Sequence, residues 1–388
     1  MGATDSTIRI EGECHSRFAR VREVIAANFA KHAETGTAIC VYHGGEKVVD
    51  IWAGHMDAAR TRPWQADTLC LMYSIAKSMS ALAVHILADE GQVDLEAPVA
   101  KYWPEFAQNG KGHLKVRHVL SHNDGLWATD AAQPGDVYDA AKMAWVLEQQ
   151  APLWPVETKG AYDTVNIGFK AGEIVRRVTG QRIQDFIHER ICRPLGANYF
   201  LGVPEEKLSL VADLSPNANA APRPANVDEN SPQARAHRCS PRPFGTEVQN
   251  GHQFRTNGVP SFGGFGEARA MARIYAALAE GGAIDGKRII SKSGIERAVV
   301  QQWSDMKDGV LGMPMAFGIG FMRNPPSGEP LFGRWSDGFG HLGSGGARAL
   351  AVPSQRLALC FVSNYQSEML GKGVRTEAVV KAACDSLS

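Results

Sequence analysis

The sequence predicts an α/β (α+β) protein: an antiparallel sheet gathered from both ends of the chain, flanked by helices, with an all-helical region inserted between. Three observations carry this. Strand-like runs cluster toward the N- and C-terminal ends. The stretch between them is patterned as helices interrupted by Pro and Gly. The first and last patterned segments are themselves helical, placed to cover one face of such a sheet.

Phe18, Val21, Val24, Ile25 and Phe29 recur at helical spacing, so residues 14–33 are expected to form an amphipathic helix. Thr37–His43 and Lys47–Trp52 are apolar, β-branched runs joined through Gly44-Gly45, the pattern of a hairpin. From Ser74 the pattern turns helical, with Ile75, Met79, Leu82 and Ile86 on one face. Residues 91–200 read as mostly helical, as at 139–150 and 168–179. The segment 203–260 holds eight of the 20 prolines together with Arg223, Arg235, Arg238, Arg242 and Arg255, and cannot be one regular element. A loop of that length is expected to serve as a lid or pocket wall, a plain surface excursion being the alternative. A helix resumes at 267–280, strands follow at Arg348–Val352 and Arg356–Ser363, and a last helix covers 368–386. The expected division is an α/β domain from 1–70 and 261–388, with a helical domain at 71–260 that includes the lid-like 203–260. A cleft between the two is the natural ligand site.

Composition narrows the function. The chain has 388 residues, 41 Lys+Arg against 41 Asp+Glu, and therefore no net charge. Nucleic-acid binding needs a basic footprint and is not expected. No apolar run approaches the ~18 residues of a membrane span, and the polar stretch Met1–Glu13 has no signal-peptide core. The seven cysteines are Cys14, Cys40, Cys70, Cys192, Cys239, Cys360 and Cys384, widely spaced and without a C-x-x-C pair. That pattern points away from a disulfide framework or a thiolate zinc site and toward a cytoplasmic protein. The histidines are too scattered to suggest a metal, and no cofactor is expected.

The sharpest local signal is Ser74-Ile-Ala-Lys77 at the start of a strongly patterned helix. Residues three apart share a helix face, and the positive helix end favours a developing alkoxide on Ser74. A buried lysine there can take the serine proton if its pKa falls from ~10.4 to ~7. S-x-x-K recurs at Ser304-Asp-Met-Lys307, in a polar stretch, and is read there as chance.

Further motifs follow in order. They are Gly91-Gln-Val-Asp-Leu95, Leu120-Ser-His122-Asn-Asp-Gly-Leu126, Gly160-Ala-Tyr162, Gly172 to Gly180, Arg193-Pro-Leu-Gly196 and Gly340-His341-Leu-Gly343-Ser344-Gly-Gly346. With Tyr73-Ser74-Ile-Ala-Lys77, this series resembles the class C β-lactamase-like serine hydrolases, a group that includes D,D-peptidases, D-aminopeptidases and family VIII carboxylesterases. The resemblance spans about 10–385. It implies a β-lactamase/D,D-peptidase-like fold, with Ser74 as nucleophile, Lys77 as its base partner and Tyr162 as a proton shuttle. The family's Y-x-N element departs here to Thr164, and Asn166 is the expected substitute. His341-Leu-Gly343 falls where relatives carry K-T-G, on an edge strand at the cleft. His341 and Gly343 are thus expected to face substrate, and the backbone N–H groups of Ser74 and Ser344 to form an oxyanion hole. His122 reads as a structural loop residue. Trp127, Trp145 and Trp154 read as helical-lobe packing. The expected function is a serine carboxylesterase acting on a small-molecule ester through an acyl-serine. A β-lactamase or D-amino-acid amidase, or a homologue acylated without turnover, are the alternatives. With an ordinary pKa near 6.5, His341 would make the preference for uncharged esters pH-dependent.

Overall fold

The computed structural model describes residues 8–32, 34–216, 228–366 and 373–387. Its centre is a nine-stranded antiparallel sheet. In chain order the strands are β1 Ile10–Cys14, β2 Gly36–His43, β3 Glu46–Gly54, β4 Trp303–Asp305, β5 Met315–Phe317, β6 Met322–Arg323, β7 Phe339–Leu342, β8 Arg348–Val352 and β9 Leu357–Ser363. Their spatial order is β1-β3-β2-β9-β8-β7-β6-β5-β4. The N-terminal hairpin therefore pairs directly with the last strand, Ile39 opposite Phe361 and Cys40 opposite Cys360. This is the joining of both chain ends that the strand distribution predicts.

Six helices of ten residues or more occur among the described residues: α1 Ala19–Lys31, α2 Ile75–Asp89, α3 Ala140–Gln149, α4 Asn166–Thr179, α5 Ala268–Ala279 and α6 Val374–Asp385. Alternation along the strands sorts side chains to the two sheet faces. Ile39, Val41, Leu359 and Phe361 meet Val21 and Ile25 of α1 and Val379 and Val380 of α6. On the opposite face Cys40, Ala349, Ala358 and Cys360 are small. They let α5 lie close, through Met271, Ala272 and Tyr275. The result is helix, sheet and helix in three layers, the arrangement that the resemblance implies.

Several elements differ from the sequence expectation. The segment expected to be helical from residue 14 opens with strand β1 and a 3-10 turn at Ser16–Phe18, and α1 begins only at Ala19. Residues 91–200 are less helical than their composition suggests, because 121–135 and 150–165 run mostly as irregular chain between short turns. The segment 203–260 contains a 3-10 helix at Glu205–Leu210 and short helices at Pro232–Ala236, Thr246–Asn250 and His252–Asn257. Part of that segment, and the start of the helix expected at 368–386, lie outside the described residues.

α2 is buried on every side from Ile75 to Leu87, as expected of a helix apolar all round. It lies between the sheet and α4 and delivers its first turn to the end of β7. That placement positions the site.

Candidate active site

The short strand Cys70–Leu71 leads into Tyr73, whose φ of 50° lies in the left-handed region. That conformation is uncommon for a bulky residue and is held only where the surroundings enforce it. The Tyr73 hydroxyl donates to Gln366 Oε1 at 2.5 Å. The bend sets Ser74 immediately before α2. Its side chain makes no capping bond, which leaves Oγ available.

One turn on, Lys77 is fully buried. Its Nζ lies 2.9 Å from Ser74 Oγ, 3.0 Å from the Ser261 carbonyl oxygen and 5.1 Å from the centre of the Tyr162 ring. Burial disfavours the ammonium and brings the pKa down to about 7, against the opposing pull of the Asp163 carboxylate. A neutral Lys77 can donate to Ser261 and turn its lone pair toward the serine hydroxyl. The Ser261 backbone is fixed in turn, since its Oγ donates to the Val165 carbonyl and accepts from the Gly168 N–H.

Tyr162 closes the group from the other side. Burial raises its phenol above the usual range, and the Ser74 hydroxyl beside it pulls the opposite way. Its Oη has no well-aligned hydrogen bond among the described residues. The irregular segment bearing it is held on both sides. Ala161 N–H donates to the His122 carbonyl at 2.8 Å and Asp163 N–H to His122 Nδ1 at 2.9 Å. Tyr162 N–H donates to Asp308 Oδ2 at 2.7 Å. Below it, buried Lys170 bridges Asp124 at 2.5 Å and Asp163 at 2.8 Å. His122 thus acts through its backbone and an acceptor nitrogen, as a loop residue. Its imidazole is held neutral by burial and by the nearby Lys77.

β7 ends at Leu342, and a Cβ on the following Gly343 would stand 2.5 Å from the Met72 carbonyl oxygen. Only glycine lets this strand approach the nucleophile turn so closely. Ser344 follows as the first residue of a 3-10 turn, Ser344–Gly346. The N–H groups of Ser74 and Ser344 both stand at helix starts, where no intrahelical partner exists. Arg375 Nη2 and Thr376 Oγ1 hold the turn by donating to the Gly345 and Gly346 carbonyls at 3.0 and 2.8 Å.

A cavity of about 160 Å³ opens over Ser74, with Tyr162 and Ser344 at its base. Phe244, Phe262, Val310 and Leu311 supply apolar wall, and Thr164, Gln233, His237 and Gln249 polar wall. Among the described residues no Lys, Arg, Asp or Glu side chain lines it. Four of the lining residues, Gln233, His237, Phe244 and Gln249, come from the 203–260 segment.

None of the three expected substrate contacts lines the cavity: Gly343 packs against the Met72 carbonyl, and the other two are placed elsewhere. β7 is not an edge strand, because β6 continues the sheet beyond it. His341 is consequently fully buried, with Nδ1 2.8 Å from the Leu342 carbonyl oxygen and its ring 6.3 Å from that of Tyr162. Burial and the charge of Lys77 push its pKa down to about 3. Asn166 is also buried. Its Nδ2 donates to the Leu126 carbonyl at 2.9 Å and its N–H to Asp163 Oδ1 at 2.6 Å. Thr164, the departure from Y-x-N, is the residue that reaches the cavity. Ser304 lies on β4 rather than on a helix, so the second S-x-x-K match builds no site. Ser261, Lys170 and Asp308 carried no sequence signal, and Asp124, within the Leu120–Leu126 motif, gave no sign of its buried ion pair with Lys170.

Among the described residues no group of side chains could hold a metal ion, and no helix is long and apolar enough to cross a membrane. A serine at a strained helix entry, one turn from a near-neutral lysine and beside a buried tyrosine, defines a serine hydrolase. The chain belongs to the Beta-lactamase family, which it matches over residues 21–383. It is 32% identical to Esterase/beta-lactamase LipL of Mycobacterium tuberculosis over 93% of this chain and 84% of that one. It superposes on a penicillin-binding protein homologue from Caulobacter crescentus with a TM-score of 0.88 and 35% identity, over 97% of this chain and all of the other. A family VIII carboxylesterase gives a TM-score of 0.89 and 35% identity, over 98% of this chain and 100% of its own.

Proposed function

We propose that this protein is a carboxylesterase that cleaves small uncharged esters through an acyl-Ser74 intermediate. The observation that carries the reading is the cavity over Ser74: small, largely apolar and, among the described residues, lined by no Lys, Arg, Asp or Glu. A substrate carboxylate or ammonium would enter it without a counter-charge, at a desolvation penalty. An uncharged acyl group or alcohol incurs none.

In this reading Ser74 Oγ attacks the ester carbonyl while its proton passes to Lys77 Nζ. The N–H groups of Ser74 and Ser344 take the oxyanion, usually the largest single catalytic contribution. Collapse breaks the bond to the alcohol oxygen, which receives a proton through Tyr162 Oη from the lysine. Water then attacks the acyl carbonyl as its proton passes to the same pair, and the bond to Ser74 Oγ breaks as that proton returns to the serine, releasing the acid. The names of LipL and of the family VIII carboxylesterase support the ester reading, and LipL's name also keeps a β-lactam substrate open. The deciding experiment compares p-nitrophenyl butyrate, a chromogenic cephalosporin and a D-amino-acid amide. Ester kcat/KM should exceed the other two by at least a hundredfold. A cephalosporin rate equal to the ester rate would make it a β-lactamase. A stoichiometric burst with no steady state would make it an acylated sensor.

A further inference from the structure

The loop between β4 and β5 contains a buried carboxylate that this mechanism does not use. Asp308 is 1% exposed, and no Lys or Arg pairs with it among the described residues. Such a group is tolerated only where hydrogen bonds take its lone pairs. Three backbone N–H groups do so. Tyr162 donates to Oδ2 at 2.7 Å, and Val310 and Leu311 donate to Oδ1 at 2.9 and 2.7 Å. Bonds of this kind to an ionised acceptor are roughly twice as strong as neutral ones.

The two oxygens face different tasks. Oδ2 fixes the backbone of the tyrosine beside Ser74. Oδ1 fixes Val310 and Leu311, which form one wall of the 160 Å³ cavity. The surrounding bonds tie the same two segments. Gly160 N–H donates to Asp305 Oδ2 at 2.8 Å, and Gly309 N–H to the Gly160 carbonyl at 3.0 Å. Gly160 itself has no room for a side chain, since a Cβ would lie 2.3 Å from the Trp303 ring.

We infer that Asp308 is a positioning residue that sets, through one carboxylate, both the placement of Tyr162 and the cavity wall that limits acyl length. The inference rests on the reading of Ser74 and Tyr162 as reacting groups. An amide cannot do both tasks, because it has one acceptor oxygen for donors on two sides. In Asp308→Asn the oxygen satisfies the two wall donors, and the NH2 group faces the Tyr162 N–H. That variant should lose rate and keep its chain-length preference. Asp308→Ala releases the wall as well, so it should lose rate and shift preference toward long chains.

The test measures labelling of Ser74 by ethyl p-nitrophenyl ethylphosphonate and its octylphosphonate analogue, alongside melting temperatures. In the labelling step Ser74 Oγ forms the bond to phosphorus, p-nitrophenolate leaves, and the serine proton goes to Lys77, while the Tyr162 phenol beside Ser74 orients its hydroxyl for attack. Both variants should label with the short probe at least tenfold more slowly than wild type. The octyl-to-ethyl rate ratio should stay within twofold of wild type in Asp308→Asn and rise at least fivefold in Asp308→Ala. A folded variant of either kind that labels at the wild-type rate overturns the proposal, as does an unchanged ratio in Asp308→Ala. If the alanine variant does not fold, the short-probe rate of the asparagine variant decides alone. A wild type that labels at Ser74 yet cleaves no ester removes the esterase reading and leaves this test valid. One that does not label at Ser74 removes both.

Discussion

At the scale of single residues, the chemistry depends on one amine made neutral by burial. Lys77 accepts a proton only when deprotonated, and its pKa lies at about 7. Ester kcat/KM should therefore rise with pH, tenfold per unit well below pH 7, and level off above it. A profile flat from pH 5 to 9 would show that Lys77 is not the group that titrates. Ser74→Ala should remove turnover with no more than a small change in melting temperature, because the serine side chain contributes little packing. Retention of more than a few per cent of the rate would exclude Ser74 as nucleophile. His341 reverses an expectation drawn from sequence. At the rim of a cleft it would titrate near neutrality. Buried behind Tyr162, with a pKa of about 3, it stays neutral across the working range. The ratio of kcat/KM for a neutral ester to that for a carboxylate analogue should hence be constant from pH 6 to 9. A ratio that falls several-fold on acidification would place the imidazole back against substrate. The sequence motif located the residue, but only the sheet beyond β7 determined its environment. Thiol reagents should leave activity largely unchanged, since Cys70, four residues before Ser74, is fully buried and burial raises its thiol pKa. Rapid inactivation that substrate prevents would contradict that.

At the scale of elements, what could be read from the sequence follows length and burial. β2, β3, β8 and β9 are five to nine residues long, and all but β3 are buried nearly throughout, so they stand out as apolar runs. β4 to β7 have two to four residues each, with no period to detect. β1, Ile-Glu-Gly-Glu-Cys, is a half-exposed edge strand whose polar composition hides it. α2 was legible, and with it the S-x-x-K pair, because apolar spacing and motif coincide. The Pro-rich segment gave its irregularity but not its anchors. Arg235 grips Asp130 with two bonds, at 3.0 and 2.7 Å, and stacks over Trp127 at 5.2 Å. Phe244 then reaches the cavity and touches the rings of Phe254 and Phe262 at 6.1 and 5.8 Å. Phe244→Ala should widen the acyl site and raise octanoate-to-butyrate selectivity roughly tenfold, the order expected from ~1–3 kcal/mol of altered apolar contact. A single common factor for every chain length would mean that this segment supports the fold without shaping the pocket.

At the scale of the whole molecule, the two ends of the chain meet at the site. β2 and β9 pair in the centre of the sheet, and a buried ion pair repeats that closure near the oxyanion turn. Arg375 Nη1 lies 2.5 Å from Glu34 Oε2, with side-chain exposures of 5% and 0%. Ser363 Oγ donates to the other Glu34 oxygen. The second terminal nitrogen of Arg375, Nη2, donates to the Gly345 carbonyl. One side chain thus joins the segment before β2, the end of β9, the start of α6 and the turn that presents the Ser344 N–H. Breaking a buried pair from one side leaves an uncompensated charge and typically costs about 3–5 kcal/mol, whereas replacing both partners costs far less. Arg375→Met should accordingly lower stability by that order, measured by denaturant unfolding. The double variant Glu34→Gln/Arg375→Met should recover most of it. Catalysis should not recover in parallel, because both variants lack the donor to Gly345 and leave the oxyanion turn unsupported. The expected result is a kcat reduced at least tenfold in the single and the double variant alike, with KM little changed. If the double variant regains kcat along with stability, Arg375 only neutralises Glu34, and the oxyanion turn is set by β7 and Thr376 alone.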